Sequence, residues 1–116
     1  MAKRGDRAAP PPRRGEWELR FFTADSADGW ENLCKQAPGP TREAWEIISR
    51  EPRDRQNPKR QHPLHGDYAT RSILNKVLEQ WQYEVTGAGR IWYCPDDASR
   101  IVYLTKASVG HPSETD

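Results

Sequence analysis

Apolar and polar side chains alternate from Trp17 to Phe21, with Trp17, Leu19 and Phe21 on one side and Glu18 and Arg20 on the other. That is the period of a half-buried strand. The period then lengthens: Ala27, Trp30, Leu33, Cys34 and Ala37 share one face of a helix that Asp25 or Ser26 can cap. Pro38-Gly39-Pro40 is expected to break that helix. Thr41 can cap a second one, with Ala44, Trp45 and Ile48 turned inward and Pro52 ending it. So short a link implies an antiparallel helical hairpin.

Alternation returns at Trp81, Tyr83 and Val85, with Gln82 and Glu84 between them. Gly87-Ala88-Gly89 offers a turn with freedom for positive φ. Arg90–Cys94 reads as the returning strand, Pro95-Asp96-Asp97 as the next turn, and Ile101–Ala107 as a third strand. The unbroken Ile-Val-Tyr-Leu run in that strand implies a central position buried on both sides. Residues 68–79 suit either a strand and turn or a short helix. The order is strand, two helices, then a meander: an α+β domain with helices packed on a mostly antiparallel sheet.

The chain has 116 residues, enough for one small domain. With 34% hydrophobic and 30% charged residues and a mean hydropathy of -1.02, it is too polar for a membrane protein. No apolar run approaches the roughly 18 residues of a spanning helix. Five Trp, four Tyr and two Phe are too many large anchors for a wholly disordered chain. Residues 1–15, with three consecutive prolines and no apolar face, read as a flexible Pro/Arg-rich tail, so the domain is placed at 16–113. With no secretory signal and only two cysteines, a cytoplasmic location is expected.

The net charge of +1 hides an uneven distribution. Residues 1–14 carry five basic side chains against Asp6, and residues 50–60 carry five against two acidic ones. The rest of the chain is acidic. Basic stripes on a near-neutral protein suggest phosphate contact, although solvated loops have the same appearance. Cys34 and Cys94, sixty residues apart, and the His62/His65 pair match no zinc spacing, and the thiols read as ordinary inward-facing ones. The single Gly-rich element joins two strands rather than opening a helix, so it is no phosphate loop. No cofactor or metal is expected.

What strand logic leaves unexplained is His62 and His65 in a loop beside the basic stripe, Arg90 opening a strand, and His111 after the last one. Isolated surface histidines are usually just solvated. Gathered at one sheet edge, they could serve as base and acid in cleaving a phosphodiester, with arginine holding the pentacovalent phosphate. A ribose 2′-hydroxyl as internal nucleophile needs no metal. Trp81, Trp92 and Tyr93 could stack a base, with core packing as the alternative for each; Trp92 and Tyr93 point to opposite faces, so at most one of them can be core on a given side.

The run WQYEVTGAGRIWYCPDDASRIVYLTKASVGH, Trp81 to His111, resembles the C-terminal half of RelE/ParE-superfamily toxins of type II toxin–antitoxin systems. HPLHGDYATR, His62 to Arg71, is similar to the segment that precedes the sheet in the RelE and YoeB branches. The resemblance covers about 16–113. It implies a RelE-like, microbial-RNase-like α+β fold and metal-independent cleavage of mRNA on the ribosome, held in check by a cognate antitoxin. Arg90 matches the phosphate-contacting arginine, His111 the C-terminal general acid, and His62 the place of a glutamate base before Pro-Leu. Glu84 is the alternative base. Arg53, Arg55, Lys59, Arg60 and His65, with Trp92 and Tyr93, would contact RNA. The chain departs from the RelE branch where Gln82 and Glu84 replace strand lysines, after His111, where neither Tyr nor Arg follows, and in the Ser72–Glu79 insertion. The alternatives in this superfamily are a ParE-like inhibitor of DNA gyrase and a toxin fold that binds without catalysis.

Overall fold

Burial of Leu19 and Phe21, 1% and 2% exposed, holds the first strand, β1 (Glu18–Phe21), against the core. The computed structural model describes residues 2–8 and 10–110. After β1 come α1 (Ala24–Gln36) and α2 (Pro38–Arg50), then β2 (Gln61–Pro63), a 3-10 turn (Gly66–Tyr68), β3 (Thr70–Ile73), β4 (Lys76–Glu79), β5 (Trp81–Glu84), β6 (Arg90–Asp96) and β7 (Ile101–Ser108). Five strands form one sheet in the order β1-β7-β6-β5-β2, parallel between β1 and β7 and antiparallel elsewhere. The expected α+β class, with two helices on a mostly antiparallel sheet, is what the chain forms.

The helices begin differently from the sequence expectation. Thr23, not Asp25 or Ser26, caps α1: its hydroxyl accepts from Ser26 N–H, and Ser26 reciprocates at the Thr23 N–H, closing a capping box. Pro38-Gly39-Pro40 is no linker but the first turn of α2, where a proline gives up only a donor the helix leaves unused. Ala37 alone separates the helices. Thr41 is therefore inside α2, buried, and its hydroxyl donates to Leu33 O of α1 at 3.1 Å. Cys34 lies exposed on α1 rather than inward, whereas Cys94 is buried.

Gly29 is where α1 meets the sheet most closely: a Cβ there would lie 1.9 Å from Ala107 O of β7. Between β5 and β6 the connection runs through Val85–Gly89, and what Gly89 supplies is space rather than positive φ. A Cβ on it would meet Thr86 Oγ1 at 2.9 Å and Ser108 O at 3.2 Å. Pro95 and Asp96, expected in a turn, extend β6 opposite Val102 and Ile101. Proline is tolerated there because β5 stops pairing at Tyr93, so that edge has no ladder to break. The turn follows, with Arg100 at φ 59.

The ambiguous stretch 68–79 is a hairpin, with Leu74 and Asn75 both at positive φ (48 and 70), the requirement of a type I′ turn. Ile73 and Leu78 of this hairpin pack on Cys94 and Tyr103 and cover part of the sheet face opposite the helices. Residues 5–8, read as part of a flexible tail, run antiparallel along β1: Gly5 N–H donates to Phe21 O at 2.7 Å and Ala8 N–H to Leu19 O at 2.8 Å. No helix among the described residues is long and apolar enough to cross a membrane.

Candidate functional site

The part of the second sheet face that the β3–β4 hairpin leaves uncovered carries the polar side chains of β2, β5, β6 and β7. Alternation sends Trp81, Tyr83 and Val85 into the core and leaves Gln82 and Glu84 on the other face. On β6, Ile91 and Tyr93 face the core while Arg90 and Trp92 do not. Register completes the array. His62, Gln82, Trp92 and Lys106 are successive cross-strand partners over four strands, and Glu84, Arg90 and Ser108 form the next row. Cross-strand neighbours have Cβ atoms about 4.5–5.5 Å apart.

The first row is joined by hydrogen bonds that fix one another's direction. Trp92 Nε1–H donates to Gln82 Oε1 at 2.8 Å. Indole can only donate, so the Gln82 amide must turn its Nε2 the other way, where it lies 3.5 Å from His62 Nε2. His62 Nδ1 lies 3.0 Å from Pro63 O, an acceptor only, so Nδ1 carries the proton and Nε2 keeps its lone pair. The row therefore ends in an imidazole whose accepting nitrogen, Nε2, is held only by a long contact of 3.5 Å. At its other end Lys106 Nζ lies 4.5 Å from the centroid of the Trp92 ring, and Tyr68, 58% exposed, stands with its ring centroid 5.1 Å away.

Lys106 belongs to this face only because of a bulge. Trp92 pairs with Lys106 and Tyr93 with Leu104, which leaves Thr105 as an extra residue in β7. Strict alternation from Val102 and Leu104 would have turned Lys106 into the core. Thr105 is buried, its hydroxyl bonded to Gln80 Oε1, which also receives the Cys94 thiol at 3.9 Å. Burial raises the Cys94 thiol to about 12, the charge of Arg71 opposing and that of Glu79 adding.

The remaining sequence candidates disperse. His62 stands in edge strand β2, not in a loop, because its neighbour Gln61 is anchored in the core by donating to Tyr93 Oη at 3.0 Å. His65 is exposed at the start of the 3-10 turn. Tyr93, expected among the RNA contacts, is fully buried on the helix side, its hydroxyl donating to Pro52 O at 2.7 Å, so it offers no ring to a base. Burial is the main reason its phenol is raised well above the usual range.

The basic stripe is engaged mostly elsewhere, although Arg60 O accepts from the Glu84 N–H at 2.7 Å beside the open face. Arg53 holds Asp97 through two bonds of 3.0 and 3.2 Å and Glu79 at 3.4 Å; burial opposes its charge, and the two carboxylates outweigh that. Arg55 lies over the core-facing Trp81 ring at 5.3 Å, and Arg60 is 4.0 Å from Glu43 of α2. Lys59 is exposed. Arg90 faces Glu84 in register without an ion pair among the described residues, its Nε 3.4 Å from Ala88 O. His111 lies outside the described residues.

Chemically the face offers a stacking platform (Trp92, Tyr68), two cations (Lys106, Arg90), a carboxylate (Glu84) and a histidine whose Nε2 accepts only a long bond from Gln82. Among the described residues no three His, Cys, Asp or Glu side chains gather as a metal site. Tyr68, Gln82 and Lys106 are contributors that sequence reasoning did not select. Comparison with protein-family models, with curated proteins and with solved structures finds no match for this chain.

Proposed function

We propose that the chain is a RelE-like toxin of a type II toxin–antitoxin pair, a metal-independent endoribonuclease acting on mRNA at the ribosome and silenced by a cognate antitoxin. The observation that carries this reading is the directional row Trp92–Gln82–His62, which presents a stacking surface and a proton acceptor on one exposed sheet face beside Arg90 and Lys106. A base stacked on Trp92 brings its ribose and phosphate over the Glu84–Arg90 row. His62 Nε2, or the Glu84 carboxylate, then takes the 2′-hydroxyl proton. The 2′-oxygen attacks phosphorus, the P–O5′ bond breaks, and a 2′,3′-cyclic phosphate and a 5′-hydroxyl result. Arg90 and Lys106 stabilise the charge that builds on the phosphorane oxygens. The resemblance assigns protonation of the leaving oxygen to His111.

The test is primer extension on cellular messages after brief induction of wild type, Arg90→Ala and His62→Ala in a heterologous bacterium, at equal expression. The expected result is new cuts within translated messages for wild type and none for Arg90→Ala. Toxicity and cuts that survive Arg90→Ala refute the site. Growth arrest with DNA-damage signalling and no cuts identifies a gyrase inhibitor instead. Binding of mRNA without cuts or arrest identifies an inactive relative, the reading that Gln82 and Glu84 in place of strand lysines favour.

A further inference from the structure

The Arg-rich leader and the inserted hairpin meet at a second place, beyond the open face. Residues 5–8 pair along β1, and this brings Arg4 to the mouth of a cavity of about 590 Å³ between β1, the start of α1 and the β3–β4 hairpin. That volume lies within the roughly 300–1,000 Å³ of small-molecule sites. Arg4, Arg20 and Arg71 line it, together with the aromatic rings of Phe22 and Tyr103 and the exposed Leu74 of the hairpin turn. No carboxylate is among the lining residues.

The charges are mostly uncompensated. Arg20 binds Glu18, but neither Arg4 nor Arg71 makes an ion pair with any described carboxylate. Arg71 instead sits 5.5 Å from the centroid of the Phe22 ring, whose other aromatic neighbour, Tyr103, is 6.2 Å away edge-on. Thr23 and Ala24 at the wall are the N-terminal end of α1, whose dipole adds to the same sign. An anion entering between guanidinium groups without ion-pair partners gains charge-assisted hydrogen bonds there. The dimensions and the two chemistries together describe one ligand class.

We propose that this cavity binds a nucleoside phosphate, the phosphate held between Arg4 and Arg71 and the base against Phe22 and Tyr103. The same chemistry is presented by a free mononucleotide and by the phosphorylated end of an RNA strand. The site does not depend on the nuclease reading, since none of its residues belongs to the open face.

The experiment titrates the full-length protein with 5′-AMP, adenosine, and a tetraribonucleotide with and without a 5′-phosphate, read by calorimetry and by amide shifts in NMR. Expected is AMP binding tighter than about 1 mM, with adenosine at least about tenfold weaker, and shifts at Phe22, Thr23 and Tyr103. Arg4→Ala with Arg71→Ala weakens AMP by about tenfold or more. Should the double variant unfold, Arg4→Ala alone, in the exposed leader, must still weaken binding. Equal binding of AMP and of the phosphorylated tetramer assigns the site to free nucleotides; tighter binding of the tetramer assigns it to a strand end. Absence of AMP binding, adenosine as tight as AMP, or shifts at Gln82 and Trp92 instead would overturn the proposal.

Discussion

Replacing Gly29 with alanine sets two effects of opposite sign against each other, and the structure says which wins. Alanine favours a helix interior over glycine by about 1 kcal/mol, so on propensity alone the variant gains stability. But the new Cβ lies 1.9 Å from Ala107 O, a backbone atom that no rotamer change can move aside. Ordinary contact begins near 3.4 Å, so α1 and β7 must part by the difference, about 1.5 Å, over a helix–strand interface that buries Leu33 and Leu104. Overpacking of this kind costs typically about 1–3 kcal/mol, and more where backbone must shift. A net loss of about 2 kcal/mol corresponds to a fall in Tm of about 8 °C in a chain of this size. Thermal unfolding followed by circular dichroism reads it directly, and urea unfolding gives the free energy. A Tm equal to or above wild type would mean that propensity decides and that α1 does not approach β7 as described. If the open face binds RNA as proposed, RNA affinity falls with stability in the same variant, since Lys106 flanks Ala107.

Two further outcomes follow from the thiols and from Asp96. In the native protein a thiol reagent should titrate exposed Cys34 alone, although burial and then Glu31 raise its pKa, and reach Cys94 only on unfolding; two equally fast thiols would contradict the packing beneath the hairpin. Burial tends to raise the Asp96 carboxyl, but bonds from Lys76 at 3.0 and 3.2 Å, from Ser99 and from the Ala98 N–H outweigh it, so its folded-state pKa is lowered. A carboxylate lowered on folding stabilises above its unfolded pKa, and the contribution is lost as pH falls through the folded value. Acid unfolding of Asp96→Asn should therefore show less stability than wild type near pH 7 and a smaller drop below about pH 4.

Much of this molecule is legible in its sequence because local rules and tertiary packing agree. The alternation of Trp17–Phe21 and Trp81–Val85 and the helical spacing of Ala27, Trp30 and Leu33 name the core correctly. The differences arise where one residue has two permitted uses. Pro38 and Pro40 can stop a helix or start one, and the single-residue junction at Ala37 decides for starting. Asp25, Ser26 and Thr23 can all cap, and the capping-box partner selects Thr23. The site was harder to read because its membership depends on register. His62 joins the face only once Gln61 is anchored to Tyr93, and Lys106 only through the bulge at Thr105. Neither event has a local signature. Trp92 and Tyr93 are both expected from the sequence to contact RNA, and full burial of Tyr93 leaves only Trp92 of the two on the open face.

Gln82 gives the sharpest test of the open face, because it links the indole that can only donate to the ring nitrogen that must accept. Its Oε1 is committed to an indole that can only donate, and its Nε2 therefore meets His62 at a nitrogen that must accept. Gln82→Glu preserves shape and the bond from Trp92 but places an acceptor against His62 Nε2. The imidazole can then satisfy both neighbours, the carboxylate and Pro63 O, only by carrying two protons. The carboxylate therefore favours a proton on Nε2, the position that the proposed general base has to keep open. Ring nitrogen shifts in NMR read this without any assay of function: wild type should show the Nδ1–H tautomer, and the variant a proton on both ring nitrogens. If the face cleaves RNA through His62, the variant loses cleavage while keeping its fold. An Nε2–H tautomer in wild type would reverse the polarity of the row and remove His62 as the base, leaving Glu84 to take the 2′-hydroxyl proton.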